Sequence, residues 1–265
     1  AAGNPDGGKL QDVAFATMLG RTPAETHAVM AVSPGPLELL PCHLYPKGWL
    51  KALVKTHKDP APKEKFSLPI ADPYAEIYRE ITAWYRLIDP ALIDPGDKYK
   101  REDAGAIGKF KNALRKSEHF HKQVIGSYYH PNTYAFYGKD PGRLSFGTVR
   151  WLGEWDGPGE LNPAVLKSAK PLSSNLRGKV FVDVGNSKPK ESAQATSSSA
   201  LWAVSPVAAL GYQAGQAIAD GLSEDGGDGK KQNPRGGTGF SVLHQDVAGD
   251  GTVPWQSGIA PNGQA

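Results

Sequence analysis

The chain has 265 residues, enough for one large domain or for a core domain with a sizeable cap. Lys plus Arg number 30 against 27 Asp plus Glu, and the resulting net charge of +3 is too balanced to mark a nucleic-acid binder. Gly (31) and Pro (22) fill a fifth of the sequence, against roughly 12% in an average protein, so the composition is that of a loop-rich globular chain and excludes disulfide scaffolds, collagens and coiled coils.

The opening Ala1-Ala2-Gly3-Asn4-Pro5-Asp6-Gly7-Gly8 has neither the basic stretch nor the apolar stretch of a signal peptide. It reads as a loop cut open, which sets the expectation that the chain is part of something longer. No run approaches the ~18 continuous apolar residues of a membrane span. The single cysteine, Cys42, has no partner for an internal disulfide and reads as a half-buried thiol.

From about Leu10 to Gln123 the periodicity is helical. Thr22-Pro23-Ala24-Glu25 is a capping box, with Pro at the first helical position. The helix it opens is expected to stop near Ser33, because Pro34-Gly35-Pro36 cannot continue it. Asp72-Pro73 begins a second expected helix, whose apolar residues Tyr74, Ile77, Tyr78, Ile81, Trp84, Tyr85 and Ile88 follow i, i+3, i+4, i+7 spacing. A third, roughly Ala104 to Val124, carries a thin stripe of Ile107, Phe110 and Leu114 among lysines and arginines.

After Gly126 the pattern changes. Thr133 to Tyr137, Leu144 to Trp151, Lys179 to Val184 and Gly239 to His244 read as strands from their β-branched and aromatic content between turn residues. Ser205-Pro206 opens a helix to about Asp220. Asn186 to Ser199 and Ser223 to Gly239 read as long loops, and no internal repeat is visible. Helices first and short strands later suggest the second half of a doubly wound domain with a helical insertion in front.

The segment richest in chemistry is Ala248-Gly249-Asp250-Gly251-Thr252-Val253-Pro254. A carboxylate between two glycines belongs on a tight loop after a strand, where the glycines let the backbone turn and the carboxylate projects. A calcium loop would need further Asp or Asn at alternate positions and a Glu downstream, and Thr252, Pro254 and Gln256 do not supply them.

The phrase Gly-Asp-Gly-Thr-Val-Pro resembles the acid-residue loop of α/β-hydrolase lipases of the lecithin:cholesterol acyltransferase-like group. Tyr137-Gly138 resembles the strand end upstream of that loop. Ser33-Pro34 through Leu39-Leu40-Pro41, with Tyr45-Pro46 and Gly48-Trp49-Leu50 behind it, resembles the cap segment of bacterial members. The resemblance implies an α/β fold: a partial α/β-hydrolase sheet with a large, mainly helical cap, the cap over residues 1–125 and the C-terminal part of the core over 126–265. It also implies a Ser-Asp-His esterase, lipase or phospholipase acting on lipid or acyl-ester substrates, without a cofactor or metal. Bacterial lipases of this kind include secreted antibacterial effectors.

In that chemistry the acid orients the catalytic His and stabilises its imidazolium. Asp250 matches the acid position. The chain order in this fold is Ser, acid, His, yet all seven histidines precede Asp250 and no Gly-x-Ser-x-Gly occurs. Ser187, in Val184-Gly185-Asn186-Ser187-Lys188-Pro189, is the nearest approach to the nucleophile turn, but Pro189 suits a loop better than the helix that the turn requires. The expectation is therefore that Asp250 acts with a nucleophile and base from the remaining part of the same hydrolase.

His119 and His121, at i and i+2 on a helix, point apart and do not share a metal easily. His130 and His244 read as residues at strand ends. The basic stretch Lys98 to Lys122 is either a solvated cap face or a surface for anionic lipid headgroups. The rival to the enzyme is thus a non-catalytic interaction module on a hydrolase scaffold, binding a partner protein or an anionic membrane surface. The six tryptophans, at 49, 84, 151, 155, 202 and 255, fit an acyl pocket or an ordinary core.

Overall fold

The computed structural model describes residues 23–94, 96–100, 105–125, 132, 134, 136–175, 178–184 and 237–258. Their frame is a six-stranded mixed sheet flanked by helices, an α/β fold. The sheet is built from β1 (Leu50–Lys55), β2 (Lys63–Leu68), β4 (Val149–Glu154), β5 (Lys170–Asn175), β6 (Lys179–Asp183) and β7 (Thr238–Val242) in the order β2-β1-β4-β7-β6-β5. β1 and β4 run parallel and every other neighbouring pair is antiparallel. A separate two-stranded ribbon pairs β3 (Asp140–Ser145) with β8 (Val247–Gly249).

The sheet buries an aromatic cluster. The Trp84 ring lies 4.7 Å from that of Phe240 on β7 and 5.7 Å from Trp151 on β4, with Phe66 and Tyr85 closing the group. Its indole Nε1 donates to the Leu166 carbonyl at 2.8 Å, so the one polar atom of this buried ring is satisfied. Gly153 makes room for the stack: a Cβ there would stand 2.5 Å from the Phe240 ring. Trp49, Trp84, Trp151 and Trp155 are all buried core residues.

Three helices cover this core. α1 (Pro23–Val32) and the single turn α2 (Pro34–Leu37) pack against α3 (Gly105–Gln123). α3 presents Phe110, Ala113, Leu114, Ser117 and His121 inward, the spacing of one helical face. His121 is buried, with Nε2 2.8 Å from the Glu38 carbonyl and Nδ1 2.7 Å from the Tyr74 hydroxyl. A carbonyl only accepts, so Nε2 donates, Nδ1 accepts from Tyr74, and the Tyr74 oxygen accepts from Ser117 at 3.0 Å. Burial pushes the His121 pKa down, which fits this neutral role. Two short helices complete the described residues: α4 (Pro163–Ser168), capped by the Asn162 side chain on Ala164 N, and α5 (Trp255–Gly258).

Several expectations are corrected. The helix expected from Asp72 to Ile88 is a single π-helical turn, Tyr74–Tyr78, followed by irregular chain and a 3₁₀ turn at Pro90–Leu92. Two carboxylates divert the backbone. Glu76 accepts from the amides of Ile70, Ala71 and Asp72 at 2.7–2.9 Å, and Glu80 accepts from those of Thr82 and Ala83. Such side-chain acceptors compete with the helical ladder. The apolar positions are buried nonetheless, apart from Ile81, which is partly so.

The helical reading of Leu10 to Gln123 also misses β1 and β2, which precede the division expected at residue 125 yet join β4 beyond it. α1 ends at Val32 as expected, but Pro34-Gly35-Pro36 opens a new helical turn rather than a loop. Ser33 takes an extended conformation and α2 restarts with Pro34 at its first position. Thr133 to Tyr137 holds no strand among its described residues, and Phe136 is 98% exposed. The strand expected over Leu144 to Trp151 is two strands, parted where Asp246 takes the amides of Gly147 and Thr148. Thr22, Ser187, His130, Trp202, the 205–220 helix, the 186–199 loop and residues 223–236 lie outside the described residues, and Thr238 and Gly239 belong to β7.

Candidate functional site

The Gly-Asp-Gly loop leaves β8 as the sequence requires. β8 pairs antiparallel with β3, matching Asp140 to Gly249 and Ser145 to Val247. Gly249 has no space for a side chain, because a Cβ would collide with Ser145 Oγ and the Val253 carbonyl oxygen. Gly251 sits at φ +97°, a backbone conformation that favours glycine. Its carbonyl accepts from Gln245 Nε2 at 3.1 Å. Each glycine of the motif therefore has its own steric reason.

Between them, Asp250 is exposed and held through one oxygen. Oδ1 accepts from Thr252 N at 2.8 Å and from Val253 N at 2.7 Å, while Asp250 N donates to the Val253 carbonyl at 3.3 Å. Oδ2 has no hydrogen-bond partner among the described residues. The Val253 and Thr252 amides hold the carboxyl below the usual carboxylate range, and Arg143 adds to the effect. Asp250 is thus anionic at neutral pH, fixed in direction, with one acceptor to spare.

The Tyr137-Gly138 patch lies against this loop although it is not a strand. A Cβ on Gly138 would stand 3.0 Å from Asp250 Cβ and 3.3 Å from the Gly249 carbonyl oxygen. Tyr137 contacts Gly258 of α5 so closely that a Cβ there has no space, and Lys139 Nζ lies 4.0 Å above the Trp255 ring. Val253, three residues beyond Asp250, and Leu144, Tyr134, Phe136 and Tyr137 are exposed apolar side chains.

A second carboxylate four residues upstream was not singled out by sequence reasoning. Asp246 Oδ1 accepts from Gly147 N at 2.8 Å and Thr148 N at 3.1 Å, Oδ2 accepts from the Thr148 hydroxyl, and Arg150 Nε stands 3.6 Å away. Its oxygens are spent on closing the β3–β4 connection. Tyr45 of the Tyr45-Pro46 patch also reaches this connection, donating to the Gly147 carbonyl at 2.8 Å. Burial, with Asp246 nearby, pushes the Tyr45 pKa up to about 12. The Ser33 to Pro41 patch lies elsewhere, packed through α2 against α3.

Of the histidines, His27 and His121 are buried, and His119 and His244 are exposed. His27 Nε2 accepts from Asp89 N at 3.1 Å. No described imidazole hydrogen-bonds to Asp250. Cys42 is a free, half-buried thiol.

No family model matches the chain, and no curated protein matches it. Among solved structures it is similar to a chain in the crystal structure of the Tle4–Tli4 complex, with 23% identity and a TM-score of 0.52. The likeness is one of fold. It covers 92% of this chain, which spans 39% of that one.

Proposed function

We propose that this chain is the acid-bearing part of a serine hydrolase of the lecithin:cholesterol acyltransferase-like kind, cleaving carboxylic esters of lipids. The observation that carries the reading is the division of labour within Asp250: two backbone amides clamp Oδ1, and Oδ2 has no hydrogen-bond partner among the described residues, on an exposed loop after a strand. A triad acid needs that state. Its free oxygen accepts from the imidazole N–H, fixes the tautomer, and stabilises the imidazolium formed as the serine attacks the ester carbonyl. Nucleophile and base come from the rest of the hydrolase. The exposed Val253, in the same loop, suits an acyl chain or the apolar face of that remaining part. The α/β scaffold shared with the Tle4–Tli4 structure supports the reading at the level of fold.

The test is Asp250→Asn in the complete hydrolase, assayed on a medium-chain ester. Asparagine keeps the Oδ1 clamp but presents an amide to the histidine, so kcat is expected to fall roughly 10⁴-fold, the scale of triad-acid replacement. An unchanged rate overturns the assignment.

A second reading, an interaction module on the same scaffold, is favoured by α3, where Lys111, Arg115, Lys116 and Lys122 are exposed. The fold neighbour is itself one component of a two-protein complex. A fluorophosphonate probe separates the readings. Labelling of the longer hydrolase but not of this chain supports the divided enzyme, labelling of neither supports the module, and labelling at Ser187 overturns both.

A further inference from the structure

The pair of parallel strands in the sheet brings together three side chains that the acid-loop reading leaves unused. The β1–β4 register matches Lys55 with Glu154, the last residue of each strand. The ladder continues one step further, with Trp155 N donating to the Lys55 carbonyl at 2.9 Å. Extended by two residues, this register sets His57 opposite Asp156, and the two-residue repeat of extended chain returns Glu154 to the same face. His57 Nδ1 lies 3.8 Å from Glu154 Oε1, and Nε2 lies 3.4 Å from Asp156 Oδ1. One ligand atom from each of the three residues falls within 4.8 Å of the others.

The platform beneath is braced. A turn carries His57, closed by Thr56 N to the Asp59 carbonyl at 2.9 Å and by Asp59 N to Thr56 Oγ1 at 3.0 Å. Trp155, between the two acids, is buried, and its Nε1 donates to the Gly159 carbonyl at 2.9 Å. Lys55 Nζ stands 3.7 Å from Glu154 Oε2, so the two oxygens of Glu154 are divided between the lysine and the histidine side. The cluster crowns the carboxyl ends of adjacent parallel strands, where open α/β sheets place their ligands.

We propose that His57, Glu154 and Asp156 bind a divalent transition-metal ion of the zinc class. One imidazole nitrogen with two carboxylate oxygens is a borderline donor set, suited to zinc rather than to calcium or magnesium, which take oxygen alone. Three protein ligands on an exposed surface leave the remaining coordination position to water. The site stands independently of Asp250 and of the hydrolase reading.

Calorimetry of the 265-residue chain with zinc chloride at pH 7.5 tests it. The expected result is saturable binding of one equivalent, weakened at least tenfold in His57→Ala and in Asp156→Asn, with calcium chloride bound much more weakly. All three side chains are exposed, so the variants are expected to keep the parent's thermal melt. On the unaltered chain, zinc is expected to shift the ring-proton NMR signals of one histidine, absent from His57→Ala. Absence of saturable binding, affinity unchanged in His57→Ala, calcium bound as tightly as zinc, or shifts at other histidines instead would each overturn the proposal.

Discussion

Around Trp84 the six-stranded sheet is held ring against ring, with Phe66, Tyr85, Trp151 and Phe240 contributed by three strands and an irregular segment. The β3–β8 ribbon and its Asp250 loop have little of this: Leu144 and Val253 are exposed, and the loop is shaped by amides on carboxylates, by Gly249 with no room for a Cβ and by Gly251 at positive φ. The first region is specified by volume and area, so what matters is how much each ring buries. The second is specified atom by atom, as an exposed site must be when it has to hold one carboxylate in one direction.

Replacing the heart of the first region is expected to have the largest effect on stability. Trp84→Ala removes a buried indole touching four rings and should cost about 3–5 kcal/mol, read from denaturant unfolding. A loss under about 1 kcal/mol would show that the cluster is not the keystone of the sheet.

Within the second region the two carboxylates sharpen the contrast. Asp246→Asn puts an amide where two backbone N–H groups, a hydroxyl and Arg150 converge on a carboxylate, and is expected to cost about 1.5–3 kcal/mol. Asp250→Asn keeps its clamped oxygen on an exposed loop and should stay within about 0.5 kcal/mol of the parent. Equal losses from the two substitutions would erase the distinction between a structural and a reserved carboxylate.

The smallest expected effect is one of pH. Burial depresses the pKa of both His27 and His121, so the folded state rejects protons that the unfolded chain accepts. The stability they contribute is complete above the ordinary histidine pKa of about 6.5 and is lost as pH falls through their lowered folded values. The melting temperature should therefore hold from pH 8 to 7 and decline toward pH 5, with a shallower decline in the His27→Gln/His121→Gln double variant. A melting temperature that rises on acidification would contradict this.

The elements most legible in the sequence were those with local punctuation. α1 begins at Pro23 and stops before Ser33, α3 carries its apolar stripe, and β6 and β7 are short β-branched or aromatic runs between turns. The segment from Asp72 to Ile88 misled because helical spacing reports burial, not backbone path. Tyr74, Ile77 and Tyr78 are buried as expected, while Glu76 and Glu80 draw the amides around them out of any helix. β1 was masked because Leu53 breaks the alternation of Lys51 and Lys55 with Leu50, Ala52 and Val54, within a longer helical reading. At the site, Asp250 was legible because its glycines adjoin it. Asp246 was not, since its partners lie 98 and 99 positions away in the chain.

Glu76 closes its own corner. By collecting three consecutive main-chain amides, it gives residues 70–72 a contour made from local atoms alone. Burial raises its pKa, but those amides outweigh that and hold the carboxyl below its usual range, so the corner keeps its anchor in mildly acidic solution. Ile70, 68% exposed at the rim of this corner, is therefore presented on ready-made ground. Anything that settles there meets a shape already paid for in folding and forfeits little order in adopting it.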